Sequence, residues 1–486
     1  QEKGMPQPLD VVSALETAVA DAIEKVQPSV VAVTRIKSET GETVAIRGQN
    51  PDPPEPRFEG QIVEQGQFFD AQPERPGFPK PDDNFSPEYF ALPADVGAGV
   101  VVGERNEILT IYHLLKGARR IRVRGPGVQF DAEILAADPR LDLAVIAPVP
   151  GFEPEKPLPP LPLGQASKLR QGSFLVALGN PYNAARDGKA SASLGILANT
   201  ARRIEPALQK VSENPNIKQF FRYQPTLLQL DSKLNLGMSG GAVVNLKGEL
   251  VGITTSLASP SGFDVAAGYA IPMDPLGRRA VDALIQGREV EYGFIGIGLA
   301  GHMPNVVNEV KQGTPAWKAN LSTGDKILKV GDVELTEDES ALPLALAGVA
   351  VGEPVVLQVL HNGEIKERTL VMSKYPVMGE VIATSRPDPW RGLHIDFTSV
   401  LNDQGNTEST LQAMTRGGVG IVDVDPGSPA SRAGLLKGTI VTSINGRDVS
   451  TPREFREAAA KLGEKDATLT TVDGIGKPRP VVVPAE

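Results

Sequence analysis

The chain has 486 residues, 41% of them apolar and 22% charged, with a formal net charge of −10. Its length exceeds what one hydrophobic core serves, so about three or four domains of ordinary globular composition are expected. The acidic balance and the lack of a dominant basic block argue against a nucleic-acid binder, and the absence of cysteine excludes disulfides, thiolate catalysis and cysteine-ligated zinc.

Four histidines, His113, His302, His361 and His394, are too few and too scattered to suggest a metal site, and no cofactor is expected. No apolar run reaches the length of a membrane span, and no GxxxxGK[ST] phosphate loop is present. The first residue is Gln1, which suggests an exported, processed chain.

In chain order, Val11–Val26 has helical apolar spacing and is stopped by Gln27-Pro28, after which Ser29–Val33 reads as a strand. Residues 49–93, with PDPPEP and PERPGFPKPDD, have the composition of a long Pro-rich acidic insertion. From Gly97, short β-branched runs follow one another at Val100–Val102, Glu107–Thr110, Ile121–Arg124, Leu143–Ile146 and Phe174–Leu178, which predicts an all-β barrel or sandwich. Tyr269–Pro272 ends that block, and Asp274–Gly287 reads as a closing helix.

The remainder contains a repeat. Val310-Lys311-Gln312-Gly313-Thr314-Pro315-Ala316 through Gly324-Asp325-Lys326-Ile327 is echoed by Val424-Asp425-Pro426-Gly427-Ser428-Pro429-Ala430 through Gly438-Thr439-Ile440-Val441. Each copy places a GxPA turn before a short helix and a glycine before a strand. Between them, Pro376, Pro387 and Pro389 mark a linker.

Chemistry enters at Leu236-Gly237-Met238-Ser239-Gly240-Gly241-Ala242. A serine among glycines can sit in a tight turn with its own N–H beside that of Gly237, as an oxyanion requires; the same letters also make an inert loop. A nucleophilic serine needs a base, and His113 alone of the histidines lies in the same β block. Asp142, just before the apolar run Leu143–Ile146, would fix the imidazole tautomer. Singly, these residues read as a strand-end histidine, a turn aspartate and a turn serine. Their order within one β domain is what points to acyl-transfer chemistry.

These motifs resemble those of the HtrA (Deg) serine proteases, a chymotrypsin-like double β-barrel followed by PDZ domains. Thr110-Ile111-Tyr112-His113-Leu114 is similar to the family's histidine motif, Asp142-Leu143-Ala144-Val145 to its aspartate motif, and Gly237–Val243 to its serine motif. Ile111 and Met238 stand where the family usually has Asn, and Ala242 where it has Pro.

The resemblance implies a mainly β fold with two partly open five- to six-stranded α+β PDZ modules. It implies His113, Asp142 and Ser239 as catalytic residues, Gly237 and Ser239 as oxyanion donors, and Thr254, Thr255 and Ser256 along a specificity pocket for a small or medium apolar side chain. Gly293, Phe294, Ile295 and Gly296 would receive a peptide carboxylate, with Arg391-Gly392-Leu393-His394-Ile395 in the similar place of the second module.

The implied domains are an N-terminal helix and first strand (1–48), the insertion (49–93), the rest of the protease (94–289), PDZ modules at 290–375 and 390–486, and a linker at 376–389. The expected function is ATP-independent endoproteolysis of unfolded or damaged polypeptides in a periplasmic or cell-envelope setting. Unfolded chains and C-terminal peptides would be the partners, without nucleic acid or an integral membrane segment, in a homo-oligomer such as a trimer. The other expectation the departures allow is a proteolytically weak relative that chaperones or binds peptides.

Overall fold

The computed structural model describes residues 8–37, 43, 45–48, 96–180, 189–202, 226–232, 234–235, 237–255, 268–299, 303–337, 341–375, 381–404, 417–472 and 477–485. The Pro-rich insertion, Ser256 and His302 lie outside these residues. Two compact units result, Gln1–Glu289 with Ile382–Ser385, and Val290–Val381 with Arg386–Glu486.

The first unit opens with the helix Pro8–Val26. Its C-terminal end is the anchored one: Ala22 and Val26 are buried, while Leu9, Val11 and Val12 are exposed. Lys25 Nζ donates to the Lys247 carbonyl at 2.8 Å, which neutralises part of the helix's negative end close to the barrel.

The chain then enters β1 (Val30–Lys37), β2 (Val96–Val101), β3 (Ile108–Ile111), β4 (Ala118–Gly125), β5 (Val128–Asp138) and β6 (Leu143–Pro148). They hydrogen-bond in the order β5-β4-β1-β2-β3-β6, and β5 pairs again with β6, so the sheet closes on itself and leaves no open edge around the ring. Burial explains the sequence pattern. β2, β3 and β6 are buried along their whole length and are almost wholly apolar, whereas β4 exposes Arg119 and Arg124 beside the buried Ala118, Ile121 and Val123. Arg122 lies opposite Asp131 across β4 and β5, and Arg120 bonds the same carboxylate at 2.6 Å.

A second closed barrel follows, from β7 (Phe174–Gly179), β8 (Ser191–Arg202), β9 (Leu227–Leu230), β10 (Ala242–Val244), β11 (Leu250–Thr255) and β12 (Gly268–Pro272), ordered β10-β11-β12-β9-β8-β7. Its core is Leu175, Ala177, Leu197, Leu228, Leu230, Val243, Val251 and Ala270, and Met238 is packed into it. The closing helix Pro275–Ile285 starts where Asp274 accepts the Gly277 N–H at 2.8 Å, with Pro275 in the first helical position, which needs no N–H.

In the second unit, β13 (Gly293–Phe294), β14 (Ile297–Leu299), β15 (Val307–Val310), β16 (Lys326–Val330), β17 (Val333–Glu334), β18 (Pro354–His361), β19 (Glu364–Val371) and β20 (Ser373–Lys374) build the first small module, with the apolar helix Ala341–Gly348. The short strand β21 (Ile382–Ala383), in the stretch read as a linker, belongs to the first unit. It pairs with Ala137 and Ala136 of β5, and Thr384 Oγ1 donates to the Leu135 carbonyl at 2.8 Å. The second module contains β22 (Leu393–Phe397), β23 (Val419–Val424), β24 (Ile440–Ile444), β25 (Arg447–Asp448), β26 (Ala467–Val472) and β27 (Pro478–Val483), with the helix Pro452–Ala460. The two GxPA turns do the same work. Thr314 and Ser428 occupy the N-cap positions of the short helices, with Pro315 and Pro429 first in each.

Candidate active site

Strand β3 delivers Ile111, whose side chain is fully buried, and the chain then turns through the single helical turn Tyr112–Leu115. His113 therefore lies on a helical turn, not on the strand itself. Leu114 and Leu115 are buried beneath it, which holds the turn down while the imidazole stays exposed.

Asp142 is placed by an unusual backbone. Its φ is +57°, a left-handed conformation that costs a non-glycine residue about 1 kcal/mol or more. That bend turns both its carbonyl and its carboxylate toward the histidine turn. The Asp142 carbonyl accepts the Tyr112 N–H at 3.0 Å. One carboxylate oxygen accepts the His113 N–H at 2.8 Å, and the other lies 2.6 Å from His113 Nδ1. In a neutral imidazole, an ionised carboxylate at Nδ1 places the proton there and leaves Nε2 with its lone pair.

Ser239 sits in the turn that leads into β10, with Gly237 at φ +88° and Gly240 at φ +85° on either side. The Gly241 N–H closes the turn onto the Met238 carbonyl at 2.9 Å. Thr254 secures it from below: its fully buried hydroxyl donates to the Met238 carbonyl and accepts the Gly241 N–H at 2.9 Å. The Gly240 N–H donates to the Thr254 carbonyl at 2.8 Å.

The turn is tied to the first barrel too. The Ala98 N–H donates to the Ser239 carbonyl at 2.8 Å, and the Ala98 carbonyl accepts from Thr110 Oγ1 at 2.7 Å. Glycine is required at 240 because a Cβ there would stand 2.2 Å from the Ala98 carbonyl oxygen and 2.4 Å from Thr110 Oγ1.

The three departures from the family motif each have a local explanation. Met238 points into the second barrel's core and is 3% exposed, so an apolar side chain serves the fold where an amide would need partners. Ala242 pairs with Leu178 and Ile253 inside β10, and Ile111 is the buried last residue of β3. The anchoring of the serine turn falls to the hydroxyl of Thr254. The Thr254 side chain, expected along a specificity pocket, is committed beneath the serine turn. Thr255, 7% exposed, ends β11.

Two residues support the serine turn in a way their place in the sequence does not show. Thr110 lies in the otherwise apolar β3 and Thr254 near the end of β11, and only the folded barrels bring them to their partners. At Gly293, Phe294, Ile295 and Gly296 the chain forms β13 and the bend into β14. Gly296 has φ +82°, and the Ile295 carbonyl accepts the Ala316 N–H at 2.9 Å. Among the described residues no cluster of His, Asp and Glu is arranged to hold a metal ion, and no helix is long and apolar enough to cross a membrane.

Comparison with known proteins matches residues 97–253 to a trypsin-like peptidase domain, and residues 293–371 and 420–472 to two PDZ domains. A probable periplasmic serine endoprotease DegP-like of Brucella suis is 28% identical over 96% of this chain and 90% of its own length. Its counterpart in Chlamydia muridarum is 27% identical over 81% of this chain and 78% of its own. Among solved structures, the HtrA-type protease AlgW with a tripeptide is 22% identical, with 74% of this chain and 98% of that chain covered at a TM-score of 0.49. The domain order and the near-full-length relatives agree: the chain is a serine endopeptidase, a trypsin-like peptidase domain followed by two PDZ domains, and it is similar to the DegP-like endoproteases.

Proposed function

We propose that His113, Asp142 and Ser239 are the catalytic triad of an endopeptidase that degrades unfolded or damaged polypeptides. The observation that carries this reading is the two-handed hold of Asp142 on His113, at backbone and at Nδ1. With Nε2 unprotonated, His113 takes the proton as Ser239 Oγ attacks the peptide carbonyl carbon. The tetrahedral oxyanion is held by the N–H groups of Gly237 and Ser239, a donor of this kind being worth about 3 kcal/mol. His113 then returns the proton to the leaving amine, and a water molecule, activated in the same way, releases the acyl group from Ser239.

The PDZ domains supply capture. A peptide adds as a strand to β14, and its carboxylate is received on the backbone of Gly293, Phe294, Ile295 and Gly296. The helix Ala341–Gly348, sequence ALPLALAG, offers an apolar wall for the last side chain. Thr255 remains the candidate for the protease's own specificity pocket. The protein works in the periplasm, as its relatives' names indicate for them, and as a homo-oligomer, with a trimer the simplest form.

The test is digestion of unfolded casein beside Ser239→Ala, with fluorophosphonate labelling of both. Cleavage and labelling by the unaltered chain alone are expected. Equal cleavage by Ser239→Ala would remove Ser239 from the mechanism.

A further inference from the structure

The two PDZ domains can be superposed residue by residue from their bonding. Gly296 and Gly392 have φ of +82° and +81°, and a Cβ on either would stand 2.2 Å from the side chain of the N-cap residue, Thr314 or Ser428. The Ile295 carbonyl accepts the Ala316 N–H at 2.9 Å, and the Arg391 carbonyl accepts the Ala430 N–H at 3.2 Å. Gly296 and Gly392 accept in the same way from Lys311 and Asp425, each at 2.9 Å. Ile295-Gly296-Ile297 thus corresponds to Arg391-Gly392-Leu393.

In both domains the next residue is the first of the strand that would receive a peptide. Ile297 pairs with Val310 and Leu393 with Val424, and the bonds to those partner strands are made by the flanking residues. The N–H and carbonyl of Ile297 and of Leu393 therefore face the other edge, the one a peptide would join.

Here the domains part. In the first, Phe294 is drawn away: it pairs with Ser373 in β20, and its ring meets Tyr375 edge-on at 5.9 Å. In the second, Trp390 folds back onto that edge. Its N–H donates to the Leu393 carbonyl at 3.1 Å, and its carbonyl accepts the Leu393 N–H at 2.9 Å.

Arg391 at φ +52° and Gly392 make this a two-residue turn of the hairpin kind. The indole of Trp390 stands edge-on to Phe455 of the helix Pro452–Ala460 at 5.5 Å. Arg391 stacks on that indole at 4.7 Å and donates to the carbonyls of Val483, at 2.9 Å, and of Lys465 and Gly463. Only 6% exposed, Arg391 is a costly group to uproot, because its buried charge is held by those carbonyls and the indole face.

We propose that Trp390 is a built-in ligand of the second PDZ domain: it occupies the backbone edge and the apolar seat of a peptide's last residue, so C-terminal peptides are captured by the first domain alone. This rests on the reading above that these domains take peptide C-termini by strand addition.

The experiment uses the full chain with Ser239→Ala. Its probe is a fluorescein-labelled decapeptide ending in a free valine carboxylate, with the C-terminal amide as control. Carboxylate-dependent anisotropy should be lost on adding Gly296→Ala, and regained on adding Trp390→Gly to that variant. Because the chain has two tryptophans, Trp317→Phe isolates Trp390, whose emission should not move when the peptide saturates the first domain.

Carboxylate-dependent binding that survives Gly296→Ala, or a saturable shift of Trp390 emission, would overturn the proposal. So would a folded Trp390→Gly chain that gains no site. If Trp390→Gly does not fold, the emission experiment decides. A parent chain that binds nothing while Trp390→Gly gains binding would leave the built-in ligand standing and remove the first domain's capture role.

Discussion

The substitution Asp142→Asn isolates the chemistry of the site from its architecture. Asn is the residue that best tolerates the left-handed φ of +57°, and its amide oxygen can still accept the His113 N–H now bonded at 2.8 Å. The amide nitrogen then faces His113 Nδ1 where a carboxylate oxygen lay at 2.6 Å. A donor there demands a lone pair on Nδ1, so the proton moves to Nε2, the atom that accepts from Ser239 in the proposed triad.

The wrong tautomer in a Ser-His-Asp arrangement lowers kcat by about 10⁴-fold, equivalent to about 5.5 kcal/mol of transition-state stabilisation. Stability should change by less than about 1 kcal/mol, since one hydrogen bond is kept and the other exchanged on a partly exposed pair. Initial rates on a fluorogenic peptide and urea midpoints on the same preparations measure both. A variant within about tenfold of the parent in kcat would refute the tautomer argument. A loss of stability as large as the loss of activity would mean that Asp142 serves the fold.

Thr254→Val keeps the shape of a fully buried side chain but deletes the hydroxyl under Met238 and Gly241. The turn's own bond survives, so a stability loss of about 1–2 kcal/mol is expected, together with a fall in kcat that Thr254→Ser reverses; an unchanged kcat would show that the hydroxyl does not position Ser239. Gly240→Ala must push against the Ala98 carbonyl and also adopt a positive φ, so it should cost about 2–3 kcal/mol and most of the activity, read by thermal melts and casein cleavage.

Asp274 is a partly buried N-cap whose carboxyl is held above its ordinary value of 3.8 by desolvation, against the opposing bonds from Gly277 and Leu276. The folded protein thus holds that proton more tightly than the unfolded chain, and the stability this confers is complete below 3.8 and lost as pH rises through the higher folded value. Asp274→Asn caps equally well without the charge. Its urea midpoint should match the parent's in acid and exceed it progressively above about pH 4; a parent that gains on the variant as pH rises would reverse this account.

The sequence by itself determined the classes of structure. Runs such as Leu143–Ile146 and Phe174–Leu178 are local statements about burial and period, and they became strands where they were read. The helix Val11–Val26 ends at Gln27-Pro28 because proline removes a donor, which needs no tertiary context. The GxPA turns fixed two copies of one module, and His113, in the β block, lies against the Asp142 expected to orient it.

What only the tertiary structure decided are contacts between residues far apart in the chain. Met238 faces the second barrel's core, and Thr254, sixteen positions on, supplies the hydroxyl that secures its carbonyl. The stretch read as a Pro-rich linker adds Ile382–Ala383 to β5, a pairing of backbone groups to which side-chain patterns are blind. The second PDZ domain shows the difference most clearly. Its Arg391-Gly392-Leu393 has the letters of a receiving loop, yet the hold of Gly463, Lys465 and Val483 on Arg391 turns Trp390 onto the open edge. Local sequence sets what a segment can form, while the burial of one charge among distant carbonyls sets which form it takes.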